Sequence, residues 1–135
     1  MTDPQPLIRV RDVMRTDFGT IDGVATVTEA MRKMKTLQRA VLVVNKRHAD
    51  DEYGLITVAD ITRQVLARDR APDRVNVYEI MTKPVISVHA DMDIRYCARL
   101  FATCDLVRAP VLDGKTILGM VSINTLVLDG LYRTV

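Results

Sequence analysis

A chain of 135 residues with 48% apolar and 27% charged side chains is long enough for one domain, or one pair of small subdomains, with a real core. Its 19 Lys and Arg against 17 Asp and Glu leave a formal charge of +2, too small to argue for nucleic acid, and 4 Tyr, 2 Phe and no Trp give little material for base stacking. No apolar run reaches membrane-spanning length, so neither nucleic acid nor membrane is an expected partner, and the mean hydropathy of +0.07 leaves some apolar surface for self-association.

In chain order, residues 1–6 lack the basic and apolar regions of a signal peptide, and a cytoplasmic location is the expectation. Residues 18–21 are a brief apolar run bounded by turn residues, which predicts a buried strand. Thr26 and Glu29 then form a capping box that opens a helix with Ala30, Met31, Met34 and Leu37 on its apolar face. A second strand is expected over residues 40–44, followed by a long charged loop over 45–52. Residues 54–61 (Gly54, Leu55, Ile56, Thr57, Val58, Ala59, Asp60, Ile61) read as a third strand running into a helix. Thr57 suits the N-cap and Asp60 the third helical position, although Asp is shorter than the usual Glu or Gln of a capping box. The same helix end attracts anions through its dipole and unpaired amides, so the segment supports either a plain cap or a phosphate site.

The pattern then recurs. Ile80 and Met81 repeat Val13 and Met14 at an offset of 67 residues, which also relates Ile21 to Val88, Val27 to Ile94 and Met34 to Phe101. Residues 85–88 predict a strand, Asp91 a cap for the helix carrying Ile94, Ala98 and Phe101, and residues 109–112 another strand, with Arg108 and Ala109 matched to Arg39 and Ala40 at an offset of 69. Asp113 and Gly114 predict a tight hairpin. Residues 119–126 repeat the 54–61 segment at an offset of 65, with Ser122 for Thr57 and Thr125 for Asp60. Cys97 and Cys104 fall on one helix, too far apart to bond each other, and are expected to be buried thiols. No His or Cys has a neighbour at metal-ligand spacing. His89, Asp91 and Asp93 fit a helix start better than acid–base chemistry, so no enzyme is expected.

This tandem duplication of a strand-helix-strand-strand-helix unit resembles a pair of cystathionine-β-synthase (CBS) domains, a Bateman module, over about residues 10–126. The resemblance rests on Asp12, Val13 and Met14, on residues 79–84, on Arg108 to Val111, and on the two glycine-led segments. It implies an α/β (α+β) fold of two pseudo-symmetric β-α-β-β-α repeats packed sheet to sheet: repeat one over 7–69, a linker over 70–74 and repeat two over 75–135. The implied function is a noncatalytic regulatory sensor of AMP, ADP, ATP or S-adenosylmethionine, without metal or obligatory cofactor, acting as a homodimer on some protein target. In that resemblance Asp60 accepts the ribose hydroxyls and Thr57 approaches the α-phosphate. Leu55, Val85 and Ile86 would sandwich the adenine, Lys83 or Arg108 would neutralise phosphate, and Pro84, Ala109 and Pro110 would complete the cleft. A second, weaker cleft would use Phe18, Gly19, Thr20, Met120, Ser122 and Thr125, lacking the carboxylate and carrying Asp17 where the other cleft has Pro84. Met31, Met34, Leu66, Phe101 and Leu126 are expected to supply the dimer contact. The alternative is a ligand-free dimerisation or protein-docking module.

Overall fold

The computed structural model describes residues 7–135; the expectation for residues 1–6 lies outside the described residues. The chain forms two compact units, one holding Phe18–Val85 and the other the chain up to Asp17 together with Ile86–Val135. Each unit has its own three-stranded sheet and its own core, giving the expected mixed α/β class. Among the described residues no helix is long and apolar enough to cross a membrane.

In the Phe18–Val85 unit, β1 (Thr20–Ile21) lies parallel to β2 (Val41–Val44), which pairs antiparallel with β3 (Gly54–Thr57). The parallel pair needs a crossover, supplied by α2 (Val27–Leu37). Its capping box forms as expected: Glu29 N–H donates to Thr26 Oγ1 at 3.2 Å, and Thr26 N–H to Glu29 Oε2 at 3.1 Å. Val27, Ala30 and Met34 turn its apolar face onto Leu42, Val44 and Ile56, all of them buried. After β3 comes α3 (Val58–Ile61), continued by a π-helical turn over Thr62–Leu66 in which Ala67 N–H reaches Thr62 O at 2.9 Å. Residues of the expected linker take a 3₁₀ turn at Pro72–Arg74 before α4 (Val77–Ile80).

The second unit repeats this plan, with α1 (Val10–Val13), β4 (Val88–His89), α5 (Ile94–Cys104), β5 (Arg108–Asp113) and β6 (Thr116–Ser122). Helical turns over Thr125–Gly130 and Leu131–Thr134 finish the chain. The β5–β6 hairpin turns at Gly114 and Lys115, where Gly114 has φ +60°, a conformation open to glycine without steric cost.

The structural units are interleaved with the sequence repeats. Helix α1 precedes repeat one's strands yet belongs to repeat two's core, where Val10 N–H donates to Met92 O at 2.8 Å and Arg11 N–H to Ala90 O at 2.9 Å. Helix α4 does the converse, with Val77 N–H on Ala25 O and Tyr78 N–H on Gly23 O. Just beyond each of these helices one residue joins a sheet edge: Arg15 exchanges two backbone bonds with Met120, and Thr82 two with Leu55.

Four expectations change. Asp93, not Asp91, caps α5, its Oδ1 accepting from Arg95 N–H at 2.8 Å, because the helix begins at Ile94 and Asp93 stands directly before it; the Asp91 carboxylate pairs with Arg11 at 2.7 Å. Cys97 is buried but Cys104 is exposed at the helix end. Met34, Phe101 and Leu126 are consumed by the unit cores and cannot supply a dimer contact; Met31 and Leu66 remain 40% and 75% exposed. The offset in the second strand is 67 rather than 69, since Val44 faces Gly54 and Val111 faces Gly119.

Candidate functional site

The end of β3 presents Thr57 and Asp60 on a cap that is closed in both directions. Thr57 Oγ1 accepts from Asp60 N–H at 3.1 Å, while Asp60 Oδ2 accepts from Thr57 N–H at 2.9 Å and from its hydroxyl at 3.0 Å. The shorter Asp thus reaches the N-cap amide in this box. The other oxygen, Oδ1, accepts from Arg63 Nη2 at 3.1 Å. A carboxylate offers about four acceptor positions. Three are filled, so Oδ1 has room for one more donor without moving Arg63. Asp60 is 7% exposed, and Val58 N–H is taken by Ala40 O at 3.0 Å, which leaves less of the helix end for an anion than the bare sequence suggested.

Repeat two builds the same cap without a charge. Thr125 N–H donates to Ser122 Oγ at 3.2 Å, Ser122 N–H donates to Thr125 Oγ1 at 3.0 Å, and the Thr125 hydroxyl closes on Ser122 O at 3.0 Å. Ile123 N–H bonds Val107 O just as Val58 bonds Ala40. Thr125 is 5% exposed.

Of the remaining expected site residues, Leu55, Lys83, Pro84 and Val85 share the Phe18–Val85 unit with Thr57 and Asp60. Leu55 is buried and pairs with Thr82, which brings the 82–85 segment alongside the start of β3. Lys83 Nζ is held by Asp51 at 2.8 Å, and this partner, with Arg47 beside it, keeps the Asp51 carboxyl far below the usual carboxylate range. Phe18, Gly19 and Thr20 open the same unit; a Cβ on Gly19 would meet the Leu37 and Leu42 side chains at 2.6 and 2.8 Å, so the strand entry admits only glycine without repacking. Ile86, Arg108, Ala109, Pro110, Met120, Ser122 and Thr125 belong to the other unit. There Arg108 faces Ser122 across the β5–β6 ladder, Ala109 and Pro110 are buried, and Ile86 is 45% exposed.

Arg63 and Asp51 are the residues that sequence reasoning missed. Arg63 was findable, since an acid and a base three apart on a helix lie on one face. Asp51 was not: nothing local links it to Lys83, 32 residues on. Among the described residues no group of His, Cys, Asp and Glu could hold a metal ion.

With this geometry the chain matches the CBS domain family twice, over residues 10–67 and 77–128. The chain belongs to the CBS domain family. Its CBS pair is 32% identical over 113 residues to the uncharacterised protein MK0525 of Methanopyrus kandleri, covering 82% of this chain and 57% of that protein, so it spans little more than half of that relative's length. The hexameric CBS-CP12 protein from bloom-forming cyanobacteria superposes with a TM-score of 0.89 at 37% identity, over 94% of this chain and 70% of that one. The CBS domain pair of protein MJ0100, solved in complex with 5′-methylthioadenosine and S-adenosyl-L-methionine, has the same fold, with a TM-score of 0.79 at 23% identity over 95% of this chain and 98% of that one.

Proposed function

We propose that this CBS pair is a noncatalytic regulatory sensor that binds an adenosine-containing ligand, AMP, ADP, ATP or S-adenosylmethionine, with Asp60 as the ribose acceptor and Thr57 beside the phosphate. The observation that carries the reading is the contrast between the two caps. Thr125 satisfies the same helix start with an uncharged hydroxyl, so the cap alone does not require the carboxylate of Asp60. Keeping a charge at 7% exposure costs free energy unless something uses it. Arg63 uses one position, and the open acceptor on Oδ1 suits a ribose hydroxyl. The adenosine ligands of the MJ0100 pair support the reading at the level of the fold. The hexamer of the cyanobacterial relative supports self-association, and we propose a cytoplasmic homodimer.

The test is a thermal-shift panel of ribo and 2′-deoxy adenosine ligands, since a ligand that binds only the folded form raises its apparent stability. At least one ribo ligand should raise the midpoint, and its 2′-deoxy form should raise it less. The competing reading, a docking module without ligand, is favoured by the fact that both Asp60 oxygens already have partners in their own cap and helix. A flat response to every member of the panel selects it.

A further inference from the structure

A different part of the Phe18–Val85 unit carries a groove with cations in its lining. The β2–β3 ladder ends at Val44 and Gly54, whereas the matching β5–β6 ladder runs on to Asp113 and Thr116. Nine residues of repeat one therefore leave the sheet where those of repeat two stay in it. The departing loop walls a groove of about 760 Å³ at the Val44 end of the sheet, whereas Thr57 and Asp60 lie beyond its Val41 end. That volume falls within the roughly 300 to 1,000 Å³ typical of small-molecule sites. Its lining includes the cations Lys46, Arg47 and Lys83 together with Val24, Met81 and Tyr78, which is 55% exposed.

Two of these cations converge on one side chain. Asp51 Oδ2 accepts from Arg47 N–H at 2.9 Å, from Arg47 Nε at 3.2 Å and from Lys83 Nζ at 2.8 Å, and the Asp51 side chain is only 8% exposed. A loop carboxylate thus sits where two cations and a backbone amide meet, next to a groove large enough for more than a carboxylate. The unit core does not include this loop. The matching strands of repeat two are joined by a two-residue hairpin, without such a loop.

We propose that this groove binds a small phosphomonoester bearing a flat apolar group, and that Asp51 is the resident anion which the phosphate displaces. Arg47 and Lys83 trade one anionic partner for another, the Asp51 carboxylate turns out into water, and a phosphate brings more charge and more acceptor oxygens than the carboxylate it replaces. The apolar group lies along Tyr78 and Met81. Asp22, whose Oδ1 accepts from Asn45 Nδ2 at 2.9 Å, also lines the groove and disfavours ligands that carry a second negative charge.

The experiment is an NMR titration of the full chain with phenyl phosphate, with inorganic phosphate and phenol as separate arms. Phenyl phosphate should shift the amides of Lys46, Arg47, Tyr78 and Lys83 saturably while leaving Thr57 and Asp60 in place, and should bind more tightly than either half. In the wild type the Asp51 carboxyl ¹³C resonance should move as its partners leave. Arg47→Gln should weaken binding about threefold to tenfold, the range expected for a partly screened ion pair, and Asp51→Asn should tighten it by a similar factor. Asp60→Asn should leave it unchanged, which separates this groove from the proposed adenosine site. Shifts confined to Thr57 and Asp60, no saturable shift, an unmoved Asp51 carboxyl, or a folded Asp51→Asn variant that binds no more tightly would each overturn the proposal.

Discussion

The two caps at Thr57 and Ser122 make a matched pair in which only one closes with a charged side chain, and that gives the adenosine reading a clean substitution. Asp60→Thr installs the side chain with which repeat two already closes its cap, so folding stability should change by less than about 1 kcal/mol. If Asp60 holds a ribose, affinity should fall by roughly one to two decades, the worth of a hydrogen bond to a charged group. Calorimetry on the variant reads both numbers, and equal affinity before and after sinks the ribose role. The cysteines give a second residue-scale prediction. Burial pushes the Cys97 thiol up to about 11, so at pH 8 it is almost wholly protonated and unreactive. Iodoacetamide should modify one thiol per folded chain, at Cys104, and reach Cys97 only on unfolding; mass spectrometry of the peptides decides this. Because the folded-state value is raised, this group's contribution to stability is complete below the unfolded pKa of about 8.5 and is lost as pH rises from there toward about 11. Denaturant midpoints should therefore fall across that alkaline window, and by less in Cys97→Ala once its cavity cost is subtracted.

Helices α2 and α5 both run for 11 residues and both stop on a non-glycine residue in the left-handed region, Gln38 and Asp105, each with φ 54°. Glycine is the residue that takes this conformation without steric cost. Gln38→Gly and Asp105→Gly should each raise stability by about 0.5 to 1 kcal/mol, seen as a higher midpoint in urea, and a fall in both would show that the side chains do more than end a helix. At this scale most of the structure was legible in the sequence, because caps, strand alternation and hairpin turns are written locally. The misreadings are equally physical. Asp91 and Asp93 are both acids at a helix start, and the cap is Asp93, directly before Ile94, which the offset of 67 already matches to Thr26. The offset of 69 followed the identity of Arg39 and Ala40 with Arg108 and Ala109, whereas the sheet register follows Val44 and Val111. Thr57 and Asp60 were visible as a pair, and Arg63 could have been added from its spacing on the helix, but Asp51's hold on Lys83 needed side chains in space.

For the whole molecule, exposed apolar residues occur in both units: in one the closing helix shows Leu66, an expected contact, at 75% exposed, and in the other the closing turns show Val127 at 49%, Leu128 at 65% and Tyr132 at 68%. Light scattering at micromolar concentration should find a dimer or a larger assembly, and Leu66→Glu together with Leu128→Glu should reduce it to monomer without unfolding it. A monomeric wild type would contradict the proposed self-association. Periodicity marks a face as apolar without naming what will cover it, which is why the interleaving of α1 and α4 could not be read from the sequence. That interleaving has a consequence for ancestry. A gene for one repeat alone would make a chain whose leading helix has no sheet of its own to rest on and whose core lacks one wall. Two such molecules exchanging that helix would complete both. Fusing two copies of the gene turns an encounter between molecules into a property of one chain, and from then on each copy can change without its twin.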